Sequence, residues 1–193
     1  MQHAQAAQRF DERQLEEIEI SELLVAGEQL LPEAMHERYS SVSGALLERV
    51  TAAFAAAQGV REIRIHGDCH LGNLLWNEHG PLFVDLDDCA TGPRVQDLWM
   101  MLSGPPAEQQ HQWQQLLSGY QQFADFDFLE LTLIEPLRAL RMLHHAAWVV
   151  HRWSDPAFPR AFPWAAEPRY WEGHVLDLLE QIANIAEPPL LQV

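Results

Sequence analysis

Lysine is absent. The twelve basic residues of this 193-residue chain are all arginine. Phosphate contact through a lysine ammonium is therefore excluded within these residues. Basic residues are also few, 12 against 28 Asp and Glu, for a formal charge of −16. Nucleic-acid binding requires phosphate neutralisation by Lys and Arg, and this balance tells against it. It tells equally against an anionic membrane surface, and a solvated acidic face is the simpler reading. With two cysteines, Cys69 and Cys89, the chain has no disulfide framework. The cytoplasm is the compartment that fits. No apolar run approaches the roughly eighteen residues needed to cross a bilayer. The opening residues, Met-Gln-His-Ala-Gln, lack a basic segment leading into an apolar one, so no signal peptide is expected. There is no internal repeat, low-complexity block or interdomain linker.

Hydrophobic residues make up 48% of the chain, enough for a real core. The length suits one domain, or a large part of a two-lobed one. Most of the periodicity is helical. Leu15, Ile18, Leu23 and Leu24 predict an amphipathic helix over 11–31. Ser43 is expected to cap a second, carrying Leu46, Leu47, Val50, Ala53, Phe54 and Ala57 and ending at Gly59. Further helices are expected over 95–102, around Trp113 to Phe123, over 136–153, and from Trp171 to Ile182. Residues 154–168, rich in Pro and aromatics, read as loop. The seven tryptophans need no cofactor to explain them, because packing accounts for those in helical segments.

The chemistry gathers in 63–99. Val60, Ile63 and Ile65 alternate with polar residues, predicting a short strand that feeds His66-Gly67-Asp68-Cys69-His70-Leu71-Gly72-Asn73. Leu74-Leu75-Trp76 and Leu82-Phe83-Val84 look like two short buried strands. Asn77-Glu78-His79-Gly80 supplies turn residues between them. Such a hairpin returns Asp85 to the side of Asn73. A carboxylate, an amide and a second carboxylate then share one small space. Phosphoryl transfer from ATP uses that set: one carboxylate takes the proton of the attacking hydroxyl, and an amide oxygen with another carboxylate holds magnesium.

His-Gly-Asp-x-x-x-x-Asn at 66–73 and Val84-Asp85-Leu86-Asp87 resemble the catalytic loop and metal-binding segment of the aminoglycoside phosphotransferase branch of the protein-kinase-like superfamily. A longer ordered set resembles a bacterial Ser/Thr protein kinase group within that branch. It includes Gly92-Pro93, Val95-Gln96-Asp97-Leu98-Trp99, Ile134 to Arg141, Asp155 to Pro159, Phe162-Pro163-Trp164 and Tyr170-Trp171, and it spans about Arg61 to about Pro189. The resemblance implies an α+β, predominantly helical fold. This is the C-terminal lobe of the kinase-like architecture, with short strands at the site. Residues 1–59 would lead in from the hinge and 60–193 would form the catalytic lobe. It implies Asp68 as catalytic base, Asn73 and Asp85 as Mg2+ ligands, and ATP as co-substrate. His66 would brace the loop, and Asp97 would accept its backbone N–H groups. Leu75 is a candidate floor for the adenine, with a plain core leucine as the alternative. Asp87 is a candidate second metal contact, with a local structural role favoured. The implied acceptor is a Ser/Thr hydroxyl of a protein, in stress survival.

The N-terminal lobe of that family carries the lid over the phosphates, a strand Lys and its Glu partner. Nothing before Arg61 resembles it. The chain is therefore expected to be a fragment or truncated product and an incomplete kinase, with the missing lobe as a candidate partner. Three alternatives stand beside this reading. One is a kinase for small-molecule hydroxyls such as aminoglycosides, choline or homoserine. Another is a metal-dependent phosphoesterase using His66, Asp68 and His70. The last is a non-catalytic binding lobe. For Cys69 and Cys89, two reduced thiols are favoured over a redox switch.

Overall fold

The computed structural model describes Phe10 and residues 30–191. The expected helix over 11–31 lies outside the described residues except for its last two positions. In chain order the elements are α1 (His36–Ala56), β1 (Glu62–Ile65), β2 (Leu74–Asn77), β3 (Gly80–Phe83), β4 (Ala90–Pro93), α2 (Val95–Trp99), α3 (Pro106–Tyr120), α4 (Ile134–His151), α5 (Ala157–Ala161) and α6 (Pro168–Ala186). Short 3-10 turns occupy Glu33–Met35, Leu71–Asn73, Phe128–Leu133 and Pro163–Ala166. The described residues form two compact units. One holds residues 57–134 with Phe10 and 188–191, and the other holds residues 30–56 and 135–187.

The second unit is helical. Tyr39, Leu46 and Val50 of α1 share a face at helical spacing. So do Leu140, Leu143, Ala147 and Val150 of α4, and Trp171, Val175 and Leu178 of α6. These side chains form one core, joined by Leu30 and Leu31. Each large aliphatic or aromatic side chain buried there contributes roughly 1.5–3 kcal/mol. Pro136 falls in the first turn of α4, where its missing N–H costs nothing. Helix α1 begins at His36, seven residues before the expected cap. Ser43 is mid-helix and fully buried, because the turn at Glu33–Met35 already starts the chain helically. The stretch 154–168 is likewise not plain loop. Asp155 Oδ1 accepts the Ala157 N–H at 2.9 Å and starts α5, and Pro163 opens the following 3-10 turn.

The first unit carries two antiparallel ladders. β1 pairs with β4 in the register Ile63↔Gly92 and Ile65↔Ala90, and β2 pairs with β3 in the register Leu74↔Phe83 and Leu75↔Leu82. The chain leaves the first ladder after β1, makes the β2–β3 hairpin, and returns to the first ladder at β4. The outgoing segment 66–73 and the returning segment 84–89 connect the same two ladders, so they run side by side. The turn uses its residues as their chemistry suggests. Asn77 Oδ1 accepts the His79 N–H at 2.8 Å, and Gly80 takes φ +111°. Strand β4 had no signal in Ala90-Thr91-Gly92-Pro93, since Gly and Pro are poor strand residues. Gly92 is there for space. A Cβ on it would come 2.8 Å from Ile65 Cδ1 and 3.0 Å from Phe10 Cβ.

A further expectation fails at the hairpin. The hairpin strands are exposed, with Leu75 at 53%, Trp76 at 75%, Leu82 at 52% and Phe83 at 47%. A short apolar run records strand propensity but not which layer covers it.

Candidate active site

Residues 66–73 are held from behind by α2. Asp97 accepts the His66 N–H at Oδ2 (2.7 Å) and the Gly67 N–H at Oδ1 (3.0 Å). One carboxylate thus pins two consecutive peptides. Burial pushes its pKa above the ordinary carboxylate value, while those same two N–H groups pull it down. Gln96, fully buried, donates to the Gly67 carbonyl at 2.8 Å, and Trp99 Nε1 donates to Gln96 Oε1 at 3.1 Å. The Gly67 peptide is therefore gripped at both its N–H and its carbonyl. Helix α2 is anchored in turn by buried Glu130, which accepts from Arg94 Nε at 2.6 Å and from the Val95 N–H at 2.9 Å.

Two bonds join the outgoing and returning segments. His66 Nε2 donates to the Val84 carbonyl at 2.9 Å, which fixes the ring proton on that nitrogen because a carbonyl only accepts. The Val84 N–H donates to the Asn73 carbonyl at 3.0 Å. Gly67, at φ +87°, closes the approach. A Cβ there would lie 2.3 Å from the Asp88 carbonyl oxygen. Asp85 follows Val84 at φ +62°, and among the described residues it alone has positive φ without being glycine. Asp tolerates that conformation better than most residues, at a cost of roughly 1–2 kcal/mol.

Asn73 Nδ2 donates to the Asp68 carbonyl at 3.0 Å and to Asp68 Oδ2 at 3.3 Å. The NH2 end of the amide is turned to Asp68, and the oxygen is the end suited to a cation. Asp68 and Asn73 thus meet directly, and Asp85 is the next residue after Val84, whose N–H is bonded to the Asn73 carbonyl. His66 and Asp97 are tied to the segment by the bonds above. Asp87 is exposed, and Leu75 lies on β2 opposite Leu82. Burial, then the charges of Asp97 and Asp68, push the Cys69 thiol up to about 11. It is protonated at neutral pH and a poor redox nucleophile.

Sequence reasoning left out Gln96 and Glu130 as parts of the site and gave His70 a role only in the phosphoesterase alternative. His70 was legible within the motif. The other two were not, because a Gln or Glu on a short helix has no local mark of what it grips. His70 accepts the Gly72 N–H at Nδ1 (2.9 Å), and its Nε2 lies 3.3 Å from Asp68 Oδ2. Among the described residues no group of three or more His, Cys, Asp or Glu side chains is placed to hold a metal ion, which tells against the phosphoesterase alternative.

A family model described as "Phosphotransferase enzyme family" matches residues 1–132. The chain belongs to that family. It is 44% identical over 161 residues to stress response kinase A of Escherichia coli (strain K12), covering 83% of this chain and 48% of that protein. Identity and coverage are the same for "Serine/threonine protein kinase RdoA" of Salmonella typhimurium (strain LT2). The chain therefore spans about half the length of the curated relatives it matches. Among solved structures it is similar to an amicoumacin kinase, hAmiN, in complex with AMP-PNP, Ca2+ and Ami. The TM-score is 0.60 at 17% identity, over 96% of this chain and 52% of that one. That likeness shows a shared kinase-like fold. Among the described residues, no helix is long and apolar enough to cross a membrane.

Proposed function

We propose that this chain carries the acceptor-side and metal-side machinery of an ATP-dependent kinase that phosphorylates Ser/Thr hydroxyls of proteins. The supporting observation is the double role of Asn73. Its side chain donates to Asp68, while its main-chain carbonyl receives the Val84 N–H beside Asp85. One residue ties a prospective base to a prospective metal ligand. The curated relatives, by their names, support the kinase class and the Ser/Thr acceptor.

In this reading an Asp68 carboxylate oxygen takes the proton of the acceptor hydroxyl as that oxygen attacks the γ-phosphorus. The bond from that phosphorus to the bridging oxygen breaks, and ADP leaves with its electron pair. Asn73 would hold Mg2+ through its side-chain oxygen and Asp85 through its carboxylate. Two hard oxygen donors suit an ion that keeps most of its water. When bound, the ion supplies charge neutralisation at the phosphates. His66 and Asp97 keep the two segments in place. Leu75 would meet the adenine and Asp87 would act locally. With no lysine in the chain, the phosphates need further donors from a partner lobe. The cytoplasm is the proposed compartment.

The test compares calorimetric titration with Mg-ATP, and protein phosphorylation, for this chain alone and for the chain joined to the N-terminal half of a curated relative. In the joined protein Asp68→Asn should lower turnover by roughly a hundredfold or more while sparing ATP binding. Asp85→Ala should weaken Mg-ATP binding as well. Normal turnover by Asp68→Asn would sink the assignment.

A further inference from the structure

We propose that His70 is a positioning residue that aims the Asp68 carboxylate. The inference about rate rests on the reading of Asp68 as proton acceptor, whereas the inference about contact does not. The Gly72 N–H is a donor, so Nδ1 of His70, 2.9 Å away, presents its lone pair. The neutral ring then carries its proton on Nε2, and that nitrogen lies 3.3 Å from Asp68 Oδ2. Asn73 Nδ2 reaches the same oxygen, also at 3.3 Å. Asn73 donates to Oδ2 from one end of the turn, and His70 Nε2 stands 3.3 Å from the same oxygen at the other. The Asn73 amide also holds the Asp68 main-chain carbonyl at 3.0 Å, so the backbone and the head of Asp68 are fixed together.

Position 72 is shaped for this ring. A Cβ on Gly72 would lie 2.6 Å from His70 Cε1 and 2.9 Å from Nδ1. A side chain there would push the imidazole off both the Gly72 N–H and Asp68. The 3-10 turn Leu71–Asn73, which His70 caps, carries Asn73 at its end. One ring therefore caps the turn that delivers the amide and holds its second nitrogen beside the carboxylate that the amide also holds. Its two nitrogens do separable work: Nδ1 caps the turn, and Nε2 positions Asp68.

Two isosteres divide these tasks. His70→Asn puts an amide oxygen where Nδ1 stands and keeps the cap, but cannot reach Asp68. His70→Gln puts an amide N–H near the place of Nε2 and keeps a donor toward Asp68. The first measurement is the 1H–15N imidazole spectrum of the 193-residue chain without nucleotide, at mildly alkaline pH, with His70 identified by the signal lost in His70→Gln. The expected result is the Nε2–H tautomer, with an Nε2 resonance that moves in Asp68→Asn. An Nδ1–H tautomer, or a resonance unchanged by Asp68→Asn, overturns the proposal whether or not the chain is a kinase. The second measurement is phosphoryl transfer by the joined protein described above. His70→Asn should lose about tenfold or more in kcat with KM for ATP within about twofold, and His70→Gln should recover most of that loss. The reverse order, or equal loss in both, assigns His70 to capping alone and overturns the positioning role. Absence of transfer in the parent protein counts against the kinase reading, and the spectrum then decides the contact.

Discussion

His174 illustrates how burial turns one side chain into a pH dependence. It sits in the helical unit, stacked on Tyr170 at a ring separation of 5.8 Å and edge-on to Trp171. Its Nε2 is buried without a hydrogen-bond partner among the described residues. Burial pulls its pKa down from 6.5 to about 4, with Asp177 opposing and His145 adding to the shift. The sign follows from proton counting. Between about 6.5 and about 4 the unfolded chain takes up a proton that the folded ring refuses, so stability falls as pH falls through that window. Full protonation against this shift is worth roughly 3 kcal/mol. We expect His174→Phe to flatten that part of the acid limb, measured by urea unfolding at several pH values between 7 and 4. Identical acid limbs in the two proteins would refute it. His174 lies on the buried face set by Trp171, Val175 and Leu178, so its burial follows from helical spacing. The missing partner for Nε2 does not, because it depends on what α1 and the preceding turn bring against it.

At the level of elements, α2 shows how little of a site can reside in local propensity. Val95–Trp99 is five residues long, far below the length at which a helix stands alone. Glu130 holds it through Arg94 and the Val95 N–H, across 35 and 36 residues of sequence. Breaking a buried ion pair leaves an uncompensated charge, so Glu130→Gln should cost about 3 kcal/mol. It should also speed hydrogen exchange at the Gly67 amide, which hangs on Asp97 of the same helix. An unchanged Gly67 exchange rate would mean that α2 does not transmit the anchor. The β2–β3 hairpin makes the complementary point. Its turn was legible because Asn77 and Gly80 are the residues a tight turn demands. Its exposure was not, because the apolar run that forms a strand is the same whether a layer covers it or not.

At the scale of the whole molecule, 28 acidic residues stand against 12 arginines. Such an excess destabilises the compact state by self-repulsion, and salt screens it over a Debye length of about 8 Å at physiological strength. Tm should therefore rise as NaCl is raised from a few millimolar to about 0.15 M. A flat or falling Tm would show that the charge is already compensated locally. Every bond that builds the candidate site lies within the unit of residues 57–134. The helical unit is built from periodic faces that can be read directly from spacing.

By itself the sequence determined the order and spacing of Asp68, Asn73 and Asp85, the helical faces, the turn at Asn77–Gly80 and the absence of a lysine. These are local properties, set by side-chain chemistry and by periods of two or about 3.6 residues. Only the tertiary structure decided that Ala90–Pro93 is a strand, that the hairpin is exposed, that Gln96 grips the Gly67 carbonyl, and that His70 Nε2 lies beside Asp68. The Gln96 grip on Gly67 spans 29 residues of sequence. Pairings at such separations leave no mark in either segment, because each residue type there is also compatible with solvent. His70 is nearer, two residues from Asp68, yet its proton sits on Nε2 only because the fold sets the Gly72 N–H against Nδ1.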